Sequence, residues 1–126
     1  MGLFSFGNKE RKVSSLKWIR LTEGSDLDQL IEKESFVKPV VLFKHSTRCS
    51  ISAMALNRLE NEWNIEEEAC VPVYLDLIAY RDISNKMAND LQITHQSPQI
   101  MVVKDGKCVY TSSHSQINVR DIKEAL

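Results

Sequence analysis

The chain has 126 residues, 43% of them apolar, enough for one domain whose core needs no covalent staples. Its 16 Lys plus Arg stand against 17 Asp plus Glu, so no global field draws in nucleic acid or an anionic membrane, and neither is expected as a partner. Cys49, Cys70 and Cys108 form an odd set at wide spacing, without paired-cysteine or Cys/His ligand spacing. That argues against a disulfide framework and a zinc site, and for a reducing, cytoplasmic setting.

Residues 1–14 lack the apolar stretch of a signal peptide, and Phe6 stands where a myristoylation signal needs Ser or Thr. They are expected to be a frayed lead-in to a single domain over 15–126. No later run reaches the roughly 20 apolar residues of a membrane span. LKWIRL (16–21) reads as a short first strand. Ser25 is placed to N-cap a helix through Glu34 that buries Leu27, Leu30 and Ile31, with the Lys38-Pro39 step ending it. PVVLF (39–43) is continuously apolar, the pattern of a central parallel strand covered on both faces. From Cys49 to about Ile65, the residues Ile51, Ala55, Leu59 and Trp63 recur at intervals of four with Met54 beside them, which predicts a helix opened by the cysteine.

VPVYLDL (71–77) reads as the next strand, and Ile83, Met87, Ala88 and Leu91 mark one face of a helix over Arg81–Leu91. IMVVKDGKCVYTS (100–112) carries Asp105-Gly106 between two apolar runs, a strong hairpin signal. Asn118 followed by Asp121 starts a terminal helix with Val119, Ile122 and Leu126 on one side.

A thiol at the first turn of a helix meets unpaired backbone N–H groups and the positive end of the helix dipole, which favour its ionised form. Cys49 is therefore the candidate nucleophile. Arg48 adds a neighbouring cation, and Lys44 and His45 would add to it if their side chains turned toward the site. The alternative is an inert cysteine at a buried junction, but Ser46, Thr47, Arg48 and Ser50 make a poor apolar pocket. Glu66, Glu67 and Glu68 read as a solvated run, Asp76 as a strand-end residue, and Trp18 and Trp63 as packing residues.

The order βαβα, a ββ hairpin and a last helix, with a cysteine at a strand-to-helix junction and Ser97-Pro98 before the hairpin, resembles the thioredoxin fold. The expected fold class is thus α/β: a central mixed sheet (β1-α-β2-α-β3-β4-α core with an N-terminal extension) flanked by helices. More narrowly, KHSTRCSIS with the later SPQ and SSHSQI resembles the monothiol bacilliredoxins, also called YtxJ-type general stress proteins. That family commonly has proline directly after the cysteine, where Ser50 stands here.

The resemblance implies a thiol-disulfide oxidoreductase that removes bacillithiol from S-bacillithiolated client proteins. Bacillithiol would be a co-substrate, and no bound cofactor or metal is implied. Ser52 stands where dithiol members of the fold carry a resolving cysteine, and a hydroxyl cannot resolve a mixed disulfide. Phe43 stands where thioredoxin has a buried acid. Strand directions put Cys70 and Cys108 at the sheet end opposite Cys49, so intramolecular resolution is not expected. Pro98 resembles the cis-proline of the fold, placing Ser97 beside the thiol, against the alternative of an ordinary trans proline. His114 stands at the end of the last strand and would donate a proton or contact the cap; it reads equally as an exposed loop histidine, as does His95. The expected thiol- and substrate-binding set is Thr47, Arg48, Ser50, Ser52, Ser97, Pro98 and His114 around Cys49. Two alternatives stay open: a glutathione-dependent, glutaredoxin-like monothiol protein, and a non-catalytic thioredoxin-fold adaptor.

Overall fold

The computed structural model describes residues 16–126; the predicted lead-in over 1–14, Phe6 included, lies outside the described residues. Along the chain come β1 (Ile19–Arg20), α1 (Gly24–Glu32), a 3-10 turn (Glu34–Phe36), β2 (Val40–His45) and α2 (Ser50–Glu62). A second 3-10 turn (Glu67–Ala69), β3 (Val71–Asp76), α3 (Arg81–Leu91), β4 (Gln99–Lys104) and β5 (Lys107–Ser113) follow. A third 3-10 turn (His114–Gln116) leads to α4 (Val119–Ala125).

The strands form one mixed sheet in the order β1-β3-β2-β4-β5. β2 runs parallel to β3 and antiparallel to β4, and is buried along its whole length, which is why its sequence shows an unbroken apolar run. Alternation along β2 divides the core. Val40 and Leu42 pack with Leu27 and Ile31 of α1 and Ile83 and Met87 of α3. Val41 and Phe43 pack with Ala55 and Leu59 of α2 and Val119 and Ile122 of α4. Phe43 is also the centre of an aromatic cluster, with Trp18 stacked at 5.6 Å and Tyr74 edge-on at 6.3 Å; Trp63 lies 6.2 Å from Trp18. Both tryptophans are packing residues, as read from the sequence.

The hairpin turns at Asp105 (φ 52°) and Gly106 (φ 79°), the left-handed pair that a two-residue turn between twisted strands demands. Its tip is pinned to the first 3-10 turn, because the Asp105 N–H donates to Ser35 O (3.0 Å) and the Gly106 N–H to Ser35 Oγ (2.9 Å). At the last helix, Asn118 Oδ1 accepts from the Asp121 N–H at 2.8 Å, the N-cap expected from that spacing.

Several boundaries differ from expectation. The first strand is only Ile19–Arg20, an edge pair on the six-residue β3. α1 starts at Gly24 with Glu23 as N-cap, so Ser25 is inside the helix and not its cap, and the helix ends at Glu32. Its predicted buried face of Leu27, Leu30 and Ile31 is present. β2 continues past Phe43 to Lys44 and His45, both buried. In α2, Ile51 and Met54 are 50% and 60% exposed; the buried face is Ser52, Ala55 and Leu59.

Candidate active site

β2 delivers the chain to His45, and the Ser46–Cys49 turn follows, closed by the Cys49 N–H donating to Ser46 O at 3.2 Å. Cys49 has extended backbone angles (φ -115°, ψ 123°) and is the N-cap of α2, its carbonyl accepting from the Ala53 N–H at 3.0 Å. The thiol is half-buried and free, and among the described residues its sulfur makes no hydrogen bond. It stands at the end of a 13-residue helix where amide hydrogens lack intrahelical partners. Thr47, Arg48 and Ser50 are exposed around it with side chains not engaged elsewhere in the described residues. They therefore form a polar, cationic rim open to a substrate.

Ser52, three residues on, is 0% exposed. Its Oγ accepts from the Ser46 N–H at 3.0 Å and lies 2.7 Å from His45 Nδ1. The hydroxyl thus ties the third residue of α2 to the end of β2. His45 is stacked on Phe43 at 5.6 Å and lies 5.5 Å from Tyr74. Burial pushes its imidazole below the usual histidine range, partly offset by the negative charges of Asp76 and Glu60. Lys44 lies on the opposite face of the sheet, fully buried, with Nζ 3.0 Å from His95 Nδ1. Loss of water pushes its ammonium down to about 8. His95 in turn is held below its ordinary value by desolvation first, then by the charges of Lys44 and Arg81. Strand alternation continues through the K-H step after VVLF and so puts these two buried groups on opposite faces of the sheet.

The Ser97-Pro98 peptide is cis. Lys44 pairs with Gln99 in the β2–β4 ladder, so Pro98 flanks the strand end from which Cys49 is reached. The end of β5 returns to the same place: the His114 N–H donates to Pro98 O at 3.3 Å, and Arg58 of α2 clamps the turn through Nη2 to His114 O (3.0 Å) and Nε to Ile117 O (3.1 Å). His114 itself is exposed, with left-handed backbone (φ 56°). Ser97, Pro98 and His114 therefore converge on the end of the sheet that carries Cys49.

The other two thiols lie at the far end. Val40, at the start of β2, pairs with Val71 and with Val103, and Val103 pairs with Cys108; Cys70 immediately precedes Val71. The six residues of β2 put about 15 Å or more between those cysteines and Cys49. Burial pushes the Cys70 thiol up to about 11, and burial also raises Cys108, against hydrogen bonds from the Tyr110 and Val102 backbone that lower it. Asp76 is the strand-end residue it was read as, its Oδ1 accepting from the Ile78 (3.1 Å) and Ala79 (3.2 Å) N–H groups.

A free cysteine as N-cap of the helix after the central strand β2, with a cis-proline just before the neighbouring strand β4, defines a thioredoxin-fold protein of thiol redox function. Solved structures agree. A candidate oxidoreductase with a thioredoxin fold shares 31% identity with TM-score 0.72, over 85% of this chain and 91% of its own. A thioredoxin of Malassezia sympodialis (16% identity, TM-score 0.67, 91% and 92% covered) and mitochondrial thioredoxin 3 of Saccharomyces cerevisiae (18%, 0.64, 85% and 91%) share the fold. Residues 19–122 match the family described as monothiol bacilliredoxin BrxC, and the chain belongs to that family. Among the described residues no helix is long and apolar enough to cross a membrane.

Proposed function

We propose that this protein removes bacillithiol from S-bacillithiolated proteins by a one-thiol route. The Cys49 thiolate attacks the bacillithiol sulfur of the client's mixed disulfide, so that a Cys49–bacillithiol disulfide forms while the client sulfur leaves as thiolate and takes a proton from solvent. A free bacillithiol thiolate then attacks the capped Cys49; bacillithiol disulfide leaves and the Cys49 thiolate is restored. The net exchange converts the client's mixed disulfide and one free bacillithiol thiol into the client thiol and bacillithiol disulfide, and no second protein thiol is needed.

The observation that supports this route is the position of Ser52. Where a second thiol would stand there is a hydroxyl, fully buried and bonded to His45 and the Ser46 N–H, and Cys70 and Cys108 lie at the opposite end of the sheet. The capped intermediate therefore waits for a thiol from outside. Clients would be held as an added strand on the backbone of Ser97, next to Pro98, with the Thr47, Arg48 and Ser50 rim and His114 around the cap.

Intact-mass measurement after incubation with bacillithiol disulfide or glutathione disulfide tests the assignment. One bacillithiol adduct per chain, lost in Cys49→Ser and released by free bacillithiol, is expected. Equal adduct formation with glutathione would move the reading to a glutaredoxin-like protein, and absence of any adduct to an adaptor.

A further inference from the structure

The loop over residues 92–98 joins α3 to β4 and ends in the cis Ser97-Pro98 peptide. Its start is tied to the helix, with Gln92 in left-handed backbone (φ 56°) and the Ile93 N–H donating to Ala88 O at 3.1 Å. Beyond that point His95 and Gln96 are exposed polar residues that give the loop no apolar anchor. Two side chains of the sheet hold it instead. Gln99 Nε2 donates to Thr94 O (3.1 Å), Gln99 Oε1 accepts from the Gln96 N–H (3.0 Å), and Lys44 Nζ donates to His95 Nδ1 (3.0 Å).

Lys44 and Gln99 are direct partners in the antiparallel β2–β4 ladder, so they project side by side from one face of the sheet, about 5 Å apart at their Cβ atoms. They are 0% and 2% exposed. A buried ammonium costs free energy unless a partner offsets it, and here that partner is one ring on the loop. Packing alone would be served by a methionine; the amine adds the hold on His95. Ser97, whose backbone receives the client strand in the proposed reaction, lies two residues beyond His95 and one beyond Gln96. From Lys44, β2 runs on through His45 into the turn that presents Cys49, so one strand places both the thiol and the loop beside it.

We infer that Lys44, with its ladder partner Gln99, is a positioning residue for the client: it fixes the loop that offers Ser97 to a capped protein. The inference rests on the proposed cap-removal reaction and adds what sets its preference for a protein-borne disulfide over a free small one. A small disulfide needs Cys49 and its rim but no strand contact at Ser97.

Kinetics with one bacillithiol-capped protein and with free bacillithiol disulfide separate docking from chemistry. Lys44→Met and His95→Ala should each raise KM for the capped protein about tenfold, the scale of one hydrogen bond to a charged group, while kcat and the rate on bacillithiol disulfide hold. The double variant should be no worse than either single one. His95→Gln, whose amide oxygen can accept from Lys44 Nζ, should keep most of the wild-type KM. An unchanged KM in Lys44→Met, or equal slowing of both disulfides, overturns the inference. Amide hydrogen exchange reads the same hold without turnover: the Gln96 N–H should exchange about tenfold faster in Lys44→Met, while amides of β2 and β4 do not. Unchanged protection at Gln96 refutes the hold. Wild-type protein that reacts with bacillithiol disulfide but leaves the protein capped overturns the reaction reading instead, and exchange at Gln96 still decides what Lys44 does to the loop.

Discussion

His45 and Ser52, seven residues apart, meet at 2.7 Å between Nδ1 and Oγ beneath the turn that presents Cys49. The same hydroxyl accepts the Ser46 N–H, so one side chain holds both the strand end and the turn. Ser52→Ala leaves a buried ring nitrogen and an amide hydrogen unpaired, and should lower stability by about 2 to 3 kcal/mol in denaturant unfolding. Cap removal should largely persist, because the hydroxyl is already engaged away from the sulfur. A loss as complete as that of Cys49→Ser would give Ser52 a part in the chemistry.

Acid should weaken the fold early. His45 and His95 both have folded values below the ordinary histidine range, each chiefly through loss of water. As pH falls below about 6.5 the unfolded chain takes up protons that these rings in the folded chain do not, so stability drops. Urea midpoints at pH 7.5, 6.5 and 5.5 should fall in that order, with a shallower fall in His95→Gln. A profile that is flat over this range would show that neither ring resists protonation.

Cys49 should be the most rapidly alkylated of the three thiols at neutral pH. It is half-exposed at a helix start, whereas Cys70 is buried and pushed up to about 11, and Cys108 is raised as well. Mass-resolved labelling with iodoacetamide checks this; comparable early labelling at Cys70 or Cys108 would count against the placement of the reactive thiol.

Arg48 is exposed beside the thiol and has no carboxylate partner among the described residues. Bacillithiol carries a malate with two carboxylates, which a guanidinium can hold through paired hydrogen bonds. Arg48→Ala should therefore slow exchange with a bacillithiol mixed disulfide several-fold more than with a glutathione one, and the gap should narrow at high salt. Slowing by one common factor would leave Arg48 no part in recognising the cap.

Much of this fold is written in local patterns: the apolar run of β2, the Asp105-Gly106 turn and the Asn118 cap each follow from a few adjacent residues. The face of α2 does not. Ile51, Ala55, Leu59 and Ser52, Ala55, Leu59 both fit helical spacing, and hydrophobicity favours the first set. Docking on the sheet selects the second, because Ser52 finds His45 and the Ser46 N–H waiting. A buried serine is legible only once its partners from another element are known. The same holds for Lys44 and His45, whose polarity marked a strand end to sequence reasoning although the strand continues through them. Cys49 and Ser97-Pro98 were readable because their placement depends on element order alone.

Lys44 is the costliest of these buried groups. Its ammonium is fully enclosed, has His95 Nδ1 as its one hydrogen-bond partner among the described residues, and is pushed from 10.5 down to about 8 by burial. That difference corresponds to a penalty on the order of 3 kcal/mol on the folded state near pH 7, where the charge must be kept. Because the folded value is the lower one, the unfolded chain binds the proton more tightly between pH 8 and about 10.5, and stability contributed by this residue rises across that window. Lys44→Met keeps the length of the side chain and removes the charge, while His95 Nδ1 turns to water at its exposed position. The variant should be about 1 to 3 kcal/mol more stable than wild type at pH 7, and the difference should shrink as pH approaches 10. Denaturant unfolding of both proteins from pH 7 to 10 measures it. A variant less stable than wild type at pH 7 would mean that the charge is held by more than His95 and that Lys44 contributes to the fold.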